Sequence, residues 1–422
     1  MAAGSPAESG SPVDPASASP NPNPLSGQRV LIVVENLPVP FDRRVWQEAN
    51  ALRGQGMDVS VISPKGQGAE QSFEIINGIH VFRHPQPPEA RGVMGFFLEY
   101  PLALFWEFLL AWRVFFRRGF DVIHICNPPD LLFLVAAPFR LLGKRVIFDH
   151  HDINPELFEA KYHRRGIFHR LLCLVEWLTF RTCHVSIATN ESYREVAVSR
   201  GRMKPENVYV VRSGPSLERL RLMPEDPAFR KGRRILIGYV GVIGQQEGID
   251  HLLEALRILI DKLGFADFQC TICGGGPELE AMQTKCTELG LDDHVEFTGR
   301  IPEDELLGIL NTADICVNPD VWNVMNDRST MNKVMEYMAL GKPIVQYDLR
   351  EGRVSAQEAS LYAKPNDRAD FAARILELVK DPELRERMGK FGRKRVEQDL
   401  NWTVEEPKFL AVYRRVLGLE PR

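Results

Sequence analysis

At 422 residues, with 44% hydrophobic and 26% charged side chains, the chain has room for two domains with cores of their own. A formal charge of −4 at pH 7 argues against a general nucleic-acid binder, which would carry a basic surplus. The charge is uneven, however: residues 91–221 hold 19 basic and 13 acidic side chains, so one region is cationic within an acidic chain.

The first 27 residues are Ala, Ser, Pro, Gly and Asn with almost no large apolar side chains, which predicts a disordered tail and no secretory leader. RVLIVVE at 29–35 reads as a buried parallel strand, followed by a helix at 42–53 with Asp42 as its N-cap. Further strands are predicted at 58–62, 79–82, 121–125, 145–148 and 185–188, separated by helical segments. A second series opens at 234 (RILIGYVG). It continues with a helix at 248–263, a strand at 268–273, a helix at 277–289 and strands at 295–297 and 315–317, and helices at 368–379, 382–399 and 404–417 follow. Strands alternating with helices predict an α/β chain of two Rossmann-like domains. The expected boundaries are 28–220 and 221–400, with 401–422 a helix packing back on the first domain. The seven cysteines are odd in number and sit mostly in apolar runs, which predicts buried, reduced thiols in a cytoplasmic protein. Cys270 and Cys273 form a CxxC inside a strand with no second ligand pair, so packing is favoured over zinc.

Ligands of parallel sheets bind at the carboxyl ends of strands, so the expected site is a cleft between the two domains. Three segments follow strand ends in the first half. NLPVPFDRR at 36–44 leads through Asp42, Arg43 and Arg44 into a helix start, suited to an anionic or polyhydroxyl ligand. NPPD at 127–130 reads as a structural turn. DHHDINPE at 149–156 carries two histidines and three carboxylates; neighbours point to opposite sides of an extended chain, so substrate hydroxyls are favoured over a metal, and His151 with Asp152 are the expected cleft residues. In the second half, Gly241, Gly244 and Gly248, then Gly274 to Gly276, then Thr298 to Arg300, follow strands where backbone can approach a ligand.

The stretch 326–347 (NDRSTMNKVMEYMALGKPIVQY) predicts a hydroxyl-rich loop through Asp327, Arg328, Ser329 and Thr330, a capped helix, a stop at Gly341 and a buried strand. The first turn of that helix suits a diphosphate, and Glu336 is positioned to accept hydrogen bonds from ribose hydroxyls. Two further segments, 95–118 and 163–181, are aromatic and apolar with basic flanks. Glu99, Pro101, Glu107 and Arg113 argue against a membrane span in the first, and each segment reads as either a core helix or an interfacial one, with two such segments in the cationic region bringing membrane-surface contact level with core packing.

NKVMEYMALGKPIV, GYVG, CGGGPE and FTGRIPEDEL, in this order and spacing, resemble the retaining, nucleotide-sugar-dependent glycosyltransferases of family 4, and FDRRVWQEANALRGQGMDVSVI with DHHDINPE resembles a bacterial surface-polysaccharide branch. The resemblance covers about 28–417 and implies the GT-B fold, two facing Rossmann-like domains with a donor and acceptor cleft between them. By motif, it implies that Glu336 bonds the nucleotide ribose and that His151, with Asp152 beside it, lies near donor sugar and acceptor. With the residues read above, the expected catalytic groups are His151, Asp152 and Lys333, the expected donor contacts Gly241, Gly244, Gly274, Arg300, Arg328, Ser329, Thr330, Asn332, Lys333 and Glu336, and the expected acceptor contacts Asp42, Arg43, Arg44 and His150. Three positions depart from the family: its sugar-binding Glu falls on Arg328, and its two diphosphate cations fall on Val242 and Glu247. Arg328 and Lys333 are expected to replace those cations. No Asp-x-Asp motif offers a metal site, so the expected reaction is metal-free with no cofactor. It takes a UDP-linked hexose or N-acetylhexosamine as co-substrate and a lipid-linked or saccharide acceptor at the inner membrane surface. A nucleotide-sugar-binding subunit without catalysis is the alternative. A dehydrogenase is opposed by the lack of GxGxxG after RVLIVVE.

Overall fold

In the computed structural model the described residues are 23–86, 93–162 and 164–419, the side chains of 93–100 excepted. The first half runs β1 (Arg29–Val34), α1 (Arg43–Gly54), β2 (Asp58–Pro64), β3 (Phe73–Ile76), β4 (Ile79–His84), α2 (Val93–Arg117), β5 (Val122–Cys126) and α3 (Phe133–Leu141). It continues with β6 (Arg145–His150), α4 (Asn154–Tyr162), α5 (Ile167–Thr182), β7 (Val185–Ala188), α6 (Glu191–Ser199) and β8 (Val208–Val210). The strands form one sheet in the order β3-β4-β2-β1-β5-β6-β7-β8, parallel except for the β3–β4 pair. Successive β1 side chains serve opposite cores. Val30, Ile32 and Val34 pack with Val45 and Leu52 of α1, and Leu31 and Val33 pack with Val114 of α2 and Phe139 of α3. Burial on both faces explains the unbroken apolar run in the sequence.

The second half holds β9 (Ile235–Val240), α7 (Ile249–Asp261), β10 (Phe268–Cys273), α8 (Leu279–Glu288), β11 (Val295–Gly299), α9 (Glu303–Thr312), β12 (Ile315–Asn318) and α10 (Val324–Arg328). Then come α11 (Asn332–Ala339), β13 (Ile344–Tyr347), α12 (Arg350–Ala356), β14 (Ser360–Ala363), α13 (Arg368–Lys380) and α14 (Pro382–Arg395). Its sheet is fully parallel in the order β11-β10-β9-β12-β13-β14, the doubly wound arrangement. The last helix, α15 (Trp402–Leu417), returns to the first half. There Phe409, Val412 and Tyr413 join the core built on β1 and α1, and Tyr413 Oη lies 2.8 Å from His124 Nδ1.

Three expectations need correction. Residues 23–27 are not part of a disordered tail: Leu25 is fully buried in the first core and Gly27 N donates to Gly56 O at 3.0 Å. Strand β3 escaped the sequence reading because its residues alternate between exposed and half-buried; the Asn77-Gly78 turn, with φ of 51° and 76°, was the available hairpin signal. The segment 324–328 is a short helix rather than loop, and α11 starts from Met331 with no side-chain cap.

All seven cysteines are free; Cys173 is half-buried and the other six are buried. Burial pushes the thiols up, to about 11 for Cys286 and about 12 for Cys183, Cys273 and Cys316. A disulfide reagent at pH 8 is therefore expected to titrate Cys173 alone in the native protein and all seven thiols in urea, since the thiolate is the reactive form.

Candidate active site

Each strand order reverses at one point, between β1 and β5 and between β9 and β12. Loops leaving neighbouring strands diverge there and open a crevice at the carboxyl ends.

Backbone contact between glycines builds the second crevice. β9 runs into Gly241 at φ 156° and β10 into Gly274 at φ 142°, and Gly241 N donates to Cys273 O at 3.0 Å. A Cβ on Gly274 would stand 1.9 Å from Gly241 O, and one on Gly276 2.4 Å from Ile243 O. Main chain lies directly on main chain, which only glycine permits. Gly244 is different, because its Cβ would meet only the flexible Glu247 carboxylate, at 2.7 Å.

Lys333, in the first turn of α11, extends to this floor. Its Nζ lies 2.6 Å from Asp320 Oδ1, 3.5 Å from Tyr239 Oη and 5.0 Å from the Tyr239 ring centre. Burial acts to lower the ammonium pKa, but Asp320 and then Tyr239 overcome it, so the group stands above its ordinary value and stays charged. Burial also raises Asp320 despite Lys333, and it raises Glu247, with Asp320 adding to the effect. Lys333 is thus a cation already matched by carboxylates, where the sequence suggested a spare one. Arg328 is no spare cation either, since its guanidinium lies 3.5 Å from Glu156 of the first half.

The hydroxyls before α11 are also committed. Ser329 Oγ donates to Met325 O at 2.8 Å and lies 3.0 Å from Tyr193 Oη, and Thr330 Oγ1 accepts from Asn190 Nδ2 at 3.1 Å. Exposed Asn332 begins the helix. Glu336 accepts from Arg219 of the linker, the segment 211–234 between β8 and β9, and, at 3.1 Å, from Arg43 of α1; Arg219 also donates to Glu303 at 2.7 Å. Arg43 therefore reaches the second half, where an acceptor contact was expected. Arg300 bonds Gln67 of the first half at 2.7 Å.

Across the cleft, His151 and Asp152 leave β6. Asn127 holds their main chain: its Oδ1 accepts from His151 N at 2.6 Å and Asp152 N at 3.2 Å, and its Nδ2 donates to Asp152 O at 2.6 Å. Burial raises the Asp152 carboxyl. The His151 ring is 16% exposed, and its Nε2 meets Asp149 Oδ2 at 2.7 Å. His150 points the opposite way. It is fully buried against Phe148, Phe180 and Tyr193, and burial with nearby Arg200 pushes it down to about 3. It is a neutral packing group, and the acceptor role expected of it is withdrawn. Arg44 is likewise buried, donating to both Asp149 oxygens at 2.9 and 3.0 Å, and Asp42 caps α1 through Val45 N at 3.1 Å. Both are spent on the fold.

Ligand atoms of Glu48, His124, Cys126 and Asp149 lie within 4.8 Å of one another, the spacing a metal would need. The Arg44 guanidinium, 3.2 Å from Glu48 and paired with Asp149, already supplies the positive charge there. Asp149, Arg219, Asp320 and Tyr239 received no role from sequence. Their sole signal was position at strand ends or in the linker, which does not reveal partners.

Residues 42–219 match the glycosyltransferase family 4 domain, and residues 225–395 match glycosyl transferases group 1. The chain is 26% identical over 317 residues to the 2-deoxystreptamine glucosyltransferase of Streptomyces kanamyceticus, covering 71% of this chain and 79% of that one. Its fold is similar to sucrose-phosphate synthase from Thermosynechococcus elongatus, at TM-score 0.75 and 18% identity over 93% of this chain and 100% of that one. It is also similar to Anabaena HepE in complex with UDP-glucose, at TM-score 0.68 and 14% identity over 93% and 98%.

The glycine floor yields a graded expectation for urea denaturation. Gly274→Ala should cost about 2–4 kcal/mol, because the clash is with main chain at positive φ, whereas Gly244→Ala should cost under about 1 kcal/mol because a carboxylate can swing away.

Proposed function

The chain belongs to the glycosyltransferases of GT-B fold, and on that premise we propose that it transfers a sugar from a UDP-linked donor, with retention at the anomeric carbon and without a metal or other cofactor, to an acceptor held by the first half. The observation that carries this reading is a glycine floor with Lys333 extended to it, an α11 first turn lacking a side-chain cap, and Glu336 one turn further on, with the opposite half reaching the same helix through Arg43 on Glu336 and Asn190 on Thr330. Main-chain amides and Lys333 would hold the diphosphate, Glu336 the ribose, and His151 with Asp152 the reacting sugars. Positioning and stabilisation of the leaving phosphate supply the rate, each well-aimed donor being worth about 3 kcal/mol. HepE, with UDP-glucose in its crystal structure, supports the choice of donor.

Val242 and Glu247 leave the diphosphate without two cations. Ribose hydroxyls arriving at Glu336 would compete with Arg43 and Arg219, and a guanidinium released there lies close enough to the nucleotide to supply charge. UDP is expected to raise the melting temperature, and Lys333→Ala to reduce donor affinity or turnover by about tenfold or more. Unchanged values in both measurements would remove Lys333 from the mechanism. The paired state of Lys333 favours a second reading, a nucleotide-sugar-binding subunit. UDP binding with neither transfer nor donor hydrolysis would select it.

The acceptor we propose is a lipid-linked saccharide of cell-surface polysaccharide synthesis, met at the cytoplasmic face of the membrane. No described helix is long and apolar enough to cross a bilayer. Helices α2, α3 and α5 nevertheless leave large apolar side chains outward: Phe105 is 55% exposed, Phe116 76%, Leu141 89% and Ile167 85%. Exposed Arg113, Arg117, Arg145 and Arg170 lie on or beside the same elements, the composition of an interfacial face that prefers anionic lipid. Sedimentation with vesicles containing phosphatidylglycerol should pull down the protein, and the double substitution Phe116→Ser with Ile167→Ser should weaken binding by about tenfold or more. Failure of the unsubstituted protein to sediment at low salt would refute the membrane reading.

A further inference from the structure

A cavity of about 450 Å³ lies where the chain crosses between the halves, and none of the donor-crevice groups lines it. One wall is α1 from Trp46 to Gly54, about 12 Å of helix at 1.5 Å per residue. The second wall is the start of the linker, Pro215 to Glu218, and the third is the start of α15 with Asn401 before it. Trp402 N donates to Pro215 O at 3.3 Å, Gln47 Nε2 donates to Gly214 O at 3.3 Å, and a Cβ on Gly214 would stand 2.6 Å from Trp402 N. Main chain packed on main chain thus fixes the linker wall against the α15 wall.

Trp46 and Trp402 are half-buried, each packed against the first core while also lining the cavity. Some polar groups there are already used: Asn50 Nδ2 donates to Trp46 O at 2.7 Å, Asn401 Nδ2 donates to Val396 O at 2.9 Å, and Ser216 Oγ accepts from Arg219 N at 3.4 Å. The side-chain carbonyl of Gln47, the carboxylates of Glu218 and Glu406 and the hydroxyl of Thr403 have no partner among the described residues. Unpaired acceptors therefore stand on all three walls, and no lysine or arginine lines the cavity. Two carboxylates without a cation repel phosphate, which rules out a nucleotide or a phospholipid headgroup. A wholly apolar ligand would strip water from the carboxylates and return nothing. A single ammonium would engage one carboxylate and one indole and leave most of the space empty. A neutral saccharide has hydroxyls to donate to separated acceptors and C–H faces to lay on indoles, and cavities of this volume take ligands of that size.

We propose that this cavity is a saccharide-binding site separate from the donor crevice, taking a neutral oligosaccharide along α1 with sugar rings against the indoles of Trp46 and Trp402. Its occupancy does not depend on the transferase reading, because no crevice group takes part. A glycan held there is anchored at the linker and leaves Lys333 and Glu336 uncovered.

The experiment is fluorine NMR of the full chain labelled with 5-fluorotryptophan, titrated with maltotriose, cellotriose and tri-N-acetylchitotriose. The chain has six tryptophans, and Trp46→Phe and Trp402→Phe identify the two signals of interest. At least one trisaccharide is expected to shift both signals saturably, with Kd in the millimolar range or below. Thr403→Arg, at an exposed position where the fold tolerates a larger side chain, should fill the mouth of the cavity and weaken binding about tenfold or more. The double substitution Glu218→Gln with Glu406→Gln should leave it within about threefold, since an amide still accepts from a hydroxyl. The proposal is overturned if none of the three sugars moves these signals, if excess UDP displaces the sugar, or if Thr403→Arg binds as well as the native sequence. A response to choline alone, lost in the double glutamine variant, would also overturn it, in favour of a cation site. Absence of transfer and donor hydrolysis would count against the transferase reading and leave this titration unaffected.

Discussion

The bidentate pair between Arg44 and Asp149 ties together parts of the molecule that the chain keeps far apart. Burying two full charges is expensive unless each finds its partner in good geometry, and here both carboxylate oxygens and several guanidinium N–H groups are used. The remaining Arg44 nitrogen, Nη1, donates to Val211 O at 3.1 Å and Ser213 Oγ at 3.2 Å, where the chain leaves the first half. One side chain therefore connects the first helix, the cleft histidine and the start of the linker. Removing either partner would leave an uncompensated charge in the core, so helix position and histidine orientation are coupled.

The donor side follows the same economy of charge with a different outcome. Val242 and Glu247 stand where the resemblance leads one to expect cations, and Lys333 stands among Asp320, Glu247 and Tyr239. A buried ammonium and the carboxylates beside it hold one another in place, so Lys333 is fixed against the glycine floor instead of swinging in solvent. Its geometry is prepared in advance, while its charge is partly neutralised. On the proposed reading, an incoming diphosphate would compete with Asp320 for it.

Contacts between the halves fall into two groups. Near the linker, α6 docks on the approach to α11: Asn190 Nδ2 donates to Arg328 O at 2.9 Å, and Ser192 Oγ donates to Glu351 at 2.6 Å, both side chains of the latter pair being buried. Elsewhere in the cleft, the contacts of Arg43 with Glu336 and of Arg300 with Gln67 involve exposed arginines. Exposed ion pairs contribute little and are screened by salt. The halves are therefore bound more firmly between α6 and the approach to α11 than through exposed Arg43 and Arg300.

Much of this molecule is legible in its sequence. Runs such as RVLIVV and FQCTIC mark strands buried on both faces, their alternation with helices requires parallel sheets, and parallel sheets collect strand ends along one edge. The opposed directions of His150 and His151 also follow, because side chains alternate along an extended chain. Gly274 could be recognised as part of a turn, although not as the residue at which any Cβ would stand 1.9 Å from Gly241 O. Partnership was decided by tertiary structure alone. Arg43 and Arg44 are adjacent, basic and at the same helix start, yet one reaches Glu336 across the cleft and the other is sealed against Asp149. Lys333 and Ser329 carried the right chemistry for a phosphate, and the fold had already paired them with Asp320 and Tyr193. The physical reason is range: backbone periodicity is set by neighbours a few residues away, whereas the state of a charge or hydroxyl depends on groups brought beside it from distant strands, helices and linker.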